Sequence, residues 1–130
     1  PGLHPPVTKK NCHRGAFYGY RPFVNKEELN NVKISKLIDL LRAEGMEVRL
    51  SGNKPLHQLP LFSKKEFGPK FLGKNLKFYK NYKTGDFPES EKFYNNTLSL
   101  ITFTFESKKL INQYLNAFKK VCYYLAENKL

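Results

Sequence analysis

His57 is the residue of this 130-residue chain best suited to chemistry near neutral pH. It lies in Asn53-Lys54-Pro55-Leu56-His57-Gln58-Leu59-Pro60-Leu61-Phe62, where Pro55 and Pro60 restrict the backbone on both sides and pre-shape a loop. An imidazole there can donate to or accept from a hydroxyl, a carboxylate or a phosphate. Asn53, Lys54 and Arg49 add donors for an anionic group. Functional residues concentrate on loops held by a rigid scaffold, which makes this loop the first candidate site. A scaffold reading stands beside it. Leu56, Pro60, Leu61 and Phe62 would then plug a domain interface, with His57 a hydrogen-bonded structural residue. Ser51-Gly52-Asn53-Lys54 also matches a Ser-x-x-Lys pattern seen around some catalytic lysines. So short a match is weak, and Lys54 reads as a surface lysine.

Residues 63–87 form the most basic stretch. Lys64, Lys65, Lys70, Lys74, Lys77, Lys80 and Lys83 outweigh Glu66 and Asp86, with Phe67, Phe71, Phe78, Tyr79, Tyr82 and Phe87 interleaved. Lysines with aromatics suit a nucleotide or single-stranded nucleic acid, charge for phosphate and flat faces for bases. A solvated loop whose aromatics fold back on a sheet has the same composition. The formal net charge of +12 suggests an anionic partner, although a lysine- and asparagine-rich composition alone produces it. A basic nucleic-acid-binding module stays open as an alternative, but no recognised nucleic-acid motif is present and that partner is not expected. His4, His13 and His57 show no ligand spacing, so no metal is expected. Cys12 and Cys122 form no Cys-x-x-Cys pair and read as reduced thiols of a cytoplasmic protein. No apolar run is long enough to span a bilayer, so no membrane partner is expected. The opening Pro1-Gly2-Leu3-His4-Pro5-Pro6 lacks the pattern of a secretory signal, and a start on Pro without Met reads as part of a longer chain.

The elements that must position these residues follow from pattern. Residues 1–15 read as an extended segment, and 16–130 as a single domain. Ala16 to Val24 reads as an aromatic-rich strand with Pro22 favouring an edge; Tyr18 and Tyr20 then share a face. Asn25 to Ile34 is polar enough for a turn or short helix. Ser35 is the expected N-cap of a helix whose Leu37, Ile38, Leu40 and Leu41 share one face, and Gly45 stops it. Met46 to Leu50 alternates as a half-buried strand. Glu89 to Thr97 follows Pro88 as a short helix, and Leu98 to Phe105 is a run of strand formers. Ser107 then caps a long helix with an apolar stripe of Leu110, Ile111, Tyr114, Leu115, Phe118, Val121, Cys122 and Leu125. This order predicts an α+β fold, a small and mainly antiparallel sheet with helices packed on one face.

Five phrases in this order carry a family resemblance. They are Ser35-Lys-Leu-Ile-Asp-Leu-Leu-Arg-Ala-Glu-Gly-Met-Glu-Val48, then Pro55-Leu-His57-x-x-Pro-Leu-Phe62. Phe87-Pro-Glu-Ser-Glu-Lys-Phe93 and the Leu98-Ser-Leu-x-Thr-Phe103 run follow, and Ala117-Phe-Lys-Lys-Val121 closes the series. Their order and spacing extend the resemblance over roughly residues 16 to 125, and the chain resembles the C-terminal small domain of a pyridoxal-phosphate-dependent sugar aminotransferase of the DegT/DnrJ/StrS type. The resemblance implies a fold-type I enzyme, a homodimer when complete. It would transfer an amino group from glutamate or glutamine to a nucleotide-linked keto sugar or a cyclitol, with pyridoxal phosphate as the electron sink. It implies that residues 1–15 leave a large domain carrying the Schiff-base lysine, that the His57 loop stands at the active-site mouth, and that Lys74 and Lys77 can reach a substrate phosphate. It also implies that this chain has no catalytic residue of its own and exposes an apolar face that the large domain covers. A non-catalytic relative acting as a sensor or assembly partner would keep this fold and differ in the upstream residues, the Schiff-base lysine above all.

Overall fold

The structure is a computed structural model that describes residues 1–15, 19–64 and 82–128. The chain divides into two compact units, Pro1–Gly52 with Asn95–Leu130, and Asn53–Tyr94.

In the first unit β1 (Leu3–His4) pairs antiparallel with β2 (Phe23–Val24), Leu3 opposite Val24. β3 (Val48–Leu50) pairs antiparallel with β4 (Leu98–Leu100), Val48 opposite Leu100 and Arg49 opposite Ser99. Backbone bonds stitch these two small sheets together: Leu98 N–H donates to the Pro22 carbonyl at 3.1 Å, Leu100 N–H to Tyr20 at 3.2 Å and Val24 N–H to Asn96 at 2.6 Å. Pro22 fits this edge because only its carbonyl is needed. The aromatic strand expected over 16–24 is thus regular only at Phe23–Val24, and Ala16 to Tyr18 lie outside the described residues.

Helix α1 (Ile34–Ala43) begins one residue before the expected cap. Lys33 occupies the cap position, no side chain caps the helix, and Ser35 lies inside it. Ile34 packs against the core, and burying that side chain outweighs the hydroxyl cap Ser35 would have supplied. Leu37, Ile38 and Leu41 face inward, Leu40 is half-buried, and Gly45 ends the helix at φ 84°. In the long helix, Lys108–Glu127, the Ser107 hydroxyl accepts from Leu110 N–H at 3.3 Å as a cap should. Tyr114, Ala117, Val121, Cys122 and Leu125 are buried there, whereas Leu110, Ile111 and Leu115 are exposed. The fully enclosed centre is built from Leu29, Leu37, Leu41, Leu98 and Leu125. Asn30, left-handed at φ 52°, donates to the Leu125 and Ala126 carbonyls and satisfies the end of that helix.

The second unit contains a 3-10 turn (Leu56–Gln58), α2 (Pro60–Ser63) and α3 (Pro88–Asn95, reaching one residue past the unit); the long helix is α4. Pro60 and Pro88 each open a helix, where a missing N–H costs nothing. Glu89 and Glu91 lie in the first turn of α3, favourable against its dipole. The fold is the expected α+β class, small antiparallel sheets with helices. Among the described residues no helix is long and apolar enough to cross a membrane.

Candidate functional site

His57 occupies the middle of the 3-10 turn and is 5% exposed. Its Nε2 meets Glu91 Oε1 on α3 at 2.7 Å, and the same oxygen accepts from the Gly85 backbone N–H at 2.7 Å. Gly85 adopts φ 97°, a left-handed conformation that suits glycine, in a turn that Asp86 shapes by accepting from Lys83 N–H at 3.0 Å. The Phe87 ring lies against the imidazole at 5.0 Å and 48°, and Tyr82 lies 5.5 Å from Phe87. Tyr82 N–H donates to the Phe62 carbonyl at 3.2 Å, which ties the far end of the loop to the same cluster.

The Gly85 N–H first, and the His57 ring second, hold the Glu91 carboxyl below its ordinary value of 4.5. A carboxylate facing Nε2 requires the ring proton there and leaves Nδ1 as the other polar atom. This is the arrangement of a base and its orienting acid, but here the ring is enclosed by its partners. Its immediate consequence is a loop of fixed shape.

The other candidates are distributed unevenly. Asn53 and Lys54 belong to the second unit, and both are exposed, with neither side chain hydrogen-bonded to another described residue. Arg49 belongs to the first unit, exposed on β3 opposite Ser99. Lys74 and Lys77, with most of the basic stretch, lie outside the described residues, as does Tyr18. Sequence reasoning missed Glu91 and Gly85. Glu91 carried a signal as a first-turn carboxylate in Phe87-Pro-Glu-Ser-Glu, but its partner is 34 residues away and no local pattern links the two.

The first unit carries a separate groove of about 740 Å³, lined by Pro22, Ile101, Phe103, Ile111, Leu115 and Phe118 among others. Leu115 is 50% and Ile111 39% exposed on its wall. Among the described residues every lysine is exposed except the half-buried Lys26. None sits in an enclosed polar site that would suit a lysine holding pyridoxal phosphate.

Fold and site together define a small α+β protein of two units, the second held internally by a His57–Glu91 pair. No family model, no curated protein and no solved structure matches the chain.

Proposed function

We propose that this chain is the small domain of a sugar aminotransferase, in which the His57 loop helps bind a nucleotide-linked keto sugar or a cyclitol. One observation carries this reading. Two of the phrases behind the resemblance, Pro55-Leu-His57-x-x-Pro-Leu-Phe62 and Phe87-Pro-Glu-Ser-Glu91, meet through the 2.7 Å bond between His57 and Glu91. Phrases separated by a long insert but joined in space behave as parts of one site. The roles divide accordingly. His57 and Glu91 set the loop's shape, while exposed Asn53 and Lys54 offer donors to substrate. The reading requires a preceding segment that supplies the cofactor lysine, and the apolar groove of the first unit gives such a domain a surface to cover. The complete enzyme would be a cytoplasmic homodimer taking its amino group from glutamate or glutamine.

The test is amino transfer from glutamate to a nucleotide-linked keto sugar by the complete protein. Lys54→Ala should raise KM without changing the melting temperature. His57→Ala should lower kcat/KM about ten-fold, the size of one lost hydrogen bond to a polar partner, in step with a lower melting temperature. The 130-residue chain with added pyridoxal phosphate should transfer nothing. Absence of transfer from a complete protein that does carry the lysine would sink the reading, as would activity in the isolated chain.

A further inference from the structure

Two arginines of the first unit line one groove. We propose that Arg42 and Arg49 form a binding site for a phosphoryl group, either free phosphate or a phosphate monoester. The inference goes beyond the aminotransferase reading and does not depend on it.

The groove has a volume of about 400 Å³, and Arg42, Glu47, Arg49 and Ser99 line it. Strand register places Arg49 directly opposite Ser99, so guanidinium and hydroxyl are cross-strand neighbours on one face. Arg42 leaves the last turn of α1, and its Nε donates to the Val48 carbonyl at 3.0 Å. That bond uses one of five N–H donors. It holds the guanidinium beside β3 before any ligand arrives and leaves both terminal nitrogens available. Among the described residues neither arginine forms an ion pair; His4–Glu28, His57–Glu91 and Lys120–Glu44 pair elsewhere. Two unneutralised guanidiniums and a hydroxyl are the donor set that phosphate oxygens take, and arginine's planar fork favours that match over a point charge. The groove is also roomier than phosphate alone requires, which leaves space for the organic part of a monoester.

Glu47 is the opposing group. Its backbone N–H donates to the Tyr114 hydroxyl at 3.0 Å, while its carboxylate pairs with neither arginine. An anion in this groove therefore meets two positive charges and one negative. Removing the negative one must tighten binding, and that sign separates a ligand seated among these residues from one attracted by the net charge.

The test titrates the 130-residue chain with inorganic phosphate and with a hexose 1-phosphate at matched ionic strength in chloride, by phosphorus NMR. Saturable binding is expected. Arg49→Ala breaks no bond within the protein and should weaken binding about ten-fold or more, as loss of a charged hydrogen-bond donor does. Glu47→Gln should tighten it about two- to five-fold, the scale of one charge at a partly exposed site. Lys119→Ala, at an exposed lysine outside the groove, should leave it within about two-fold because only screened, distant charge is lost. Tighter binding of the hexose phosphate assigns the site to monoesters, and equal binding assigns it to free phosphate; both uphold it. No saturable binding, equal losses from Arg49→Ala and Lys119→Ala, or weaker binding by Glu47→Gln would each overturn it.

Discussion

Two carboxylates in this molecule are held by the same kind of donors in unlike surroundings. Glu28 accepts from the Gly2 backbone N–H at 2.7 Å, meets His4 Nε2 at 2.9 Å and accepts from the Asn25 side chain at 2.7 Å. Glu91 accepts from the Gly85 N–H and meets His57 Nε2, both at 2.7 Å. Each cluster joins a left-handed glycine, a histidine and a glutamate. In the first, the His4 and Glu28 side chains are 52% and 38% exposed; in the second, those of His57 and Glu91 are 4% and 13% exposed. Water can reach the histidine of the first cluster and hardly that of the second, while the glycine bonds run the other way, part-buried at Gly2 and exposed at Gly85. Similar hydrogen-bond lengths therefore conceal unequal contributions to stability.

The glycines reverse that order. A Cβ on Gly2 would stand 2.3 Å from Leu29 Cγ, inside a side chain with no exposed surface, whereas a Cβ on Gly85 would meet nothing within 4 Å. The first cluster is rigid at its glycine and the second at its histidine. Gly2→Ala should thus give the largest effect, about 3 kcal/mol from a left-handed alanine plus overpacking against Leu29. Gly85→Ala should cost about 1 kcal/mol from conformation alone. Urea unfolding of both variants measures the difference, and similar midpoints would break the contrast.

The histidines come next, in the opposite order. His57→Ala should cost about 2 kcal/mol, because it removes a buried ring packed on Phe87 and leaves Glu91 Oε1 with the Gly85 N–H alone. His4→Ala should cost about 0.5 kcal/mol or less after allowance for solvent. Proteolysis of the native chain would sharpen this, since loosening the second unit should expose sites between Asn53 and Tyr94 in the His57 variant alone.

Acid should act on both clusters. The Gly2 N–H holds the Glu28 carboxyl below 4.5, with His4 and Asn25 assisting, and the Gly85 N–H and His57 do the same for Glu91. A depressed carboxyl binds fewer protons folded than unfolded. Its contribution is therefore complete above 4.5 and disappears as pH falls through the lower folded value. Melting temperature followed from pH 6 to pH 3, a range of about three units spanning an ordinary carboxyl titration, should fall less steeply in Glu28→Gln and in Glu91→Gln. An unchanged slope in either variant would mean that its carboxylate is not held as the distances suggest.

The helix phrases of this chain were legible because they are local. The Leu37–Ile38–Leu41 face, the stop at Gly45 and the cap at Ser107 each depend on residues within a few positions. Ser35 misled, since a half-buried Ile34 one residue earlier, packed against the core, drew the helix start back. The strands were overdrawn. Leu98 to Phe105 is uniformly rich in strand formers, yet only Leu98–Leu100 pairs as β4, because composition registers preference and not the presence of a partner. Both carboxylate clusters were invisible for a related reason. His4 to Glu28 spans 24 residues and His57 to Glu91 spans 34, and periodicity carries no information at those separations. The loop around His57 was found through its prolines, while what the histidine touches was not.

Salt provides the smallest and most selective test of the two clusters. Screening acts on charges that ions can approach, and at molar salt it reaches within about 3 Å. His4 and Glu28 are open to such ions, but His57 and Glu91 are enclosed by their own unit. At about pH 5, below the ordinary imidazole value of roughly 6.5 so that the pair carries both charges, the His4→Ala cost should therefore shrink toward zero between dilute and molar sodium chloride. The His57→Ala cost should change little, since it comes mainly from a buried ring whose packing on Phe87 salt does not screen. The net charge of +12 complicates the absolute values, because salt relieves repulsion throughout the folded chain and raises every melting curve. That general effect is common to parent and variant and cancels in the difference between them. The measurement is that difference at two salt concentrations for each histidine. Parallel behaviour of the two would mean that the second cluster is as open to solvent as the first, and the distinction drawn from their exposures would fail.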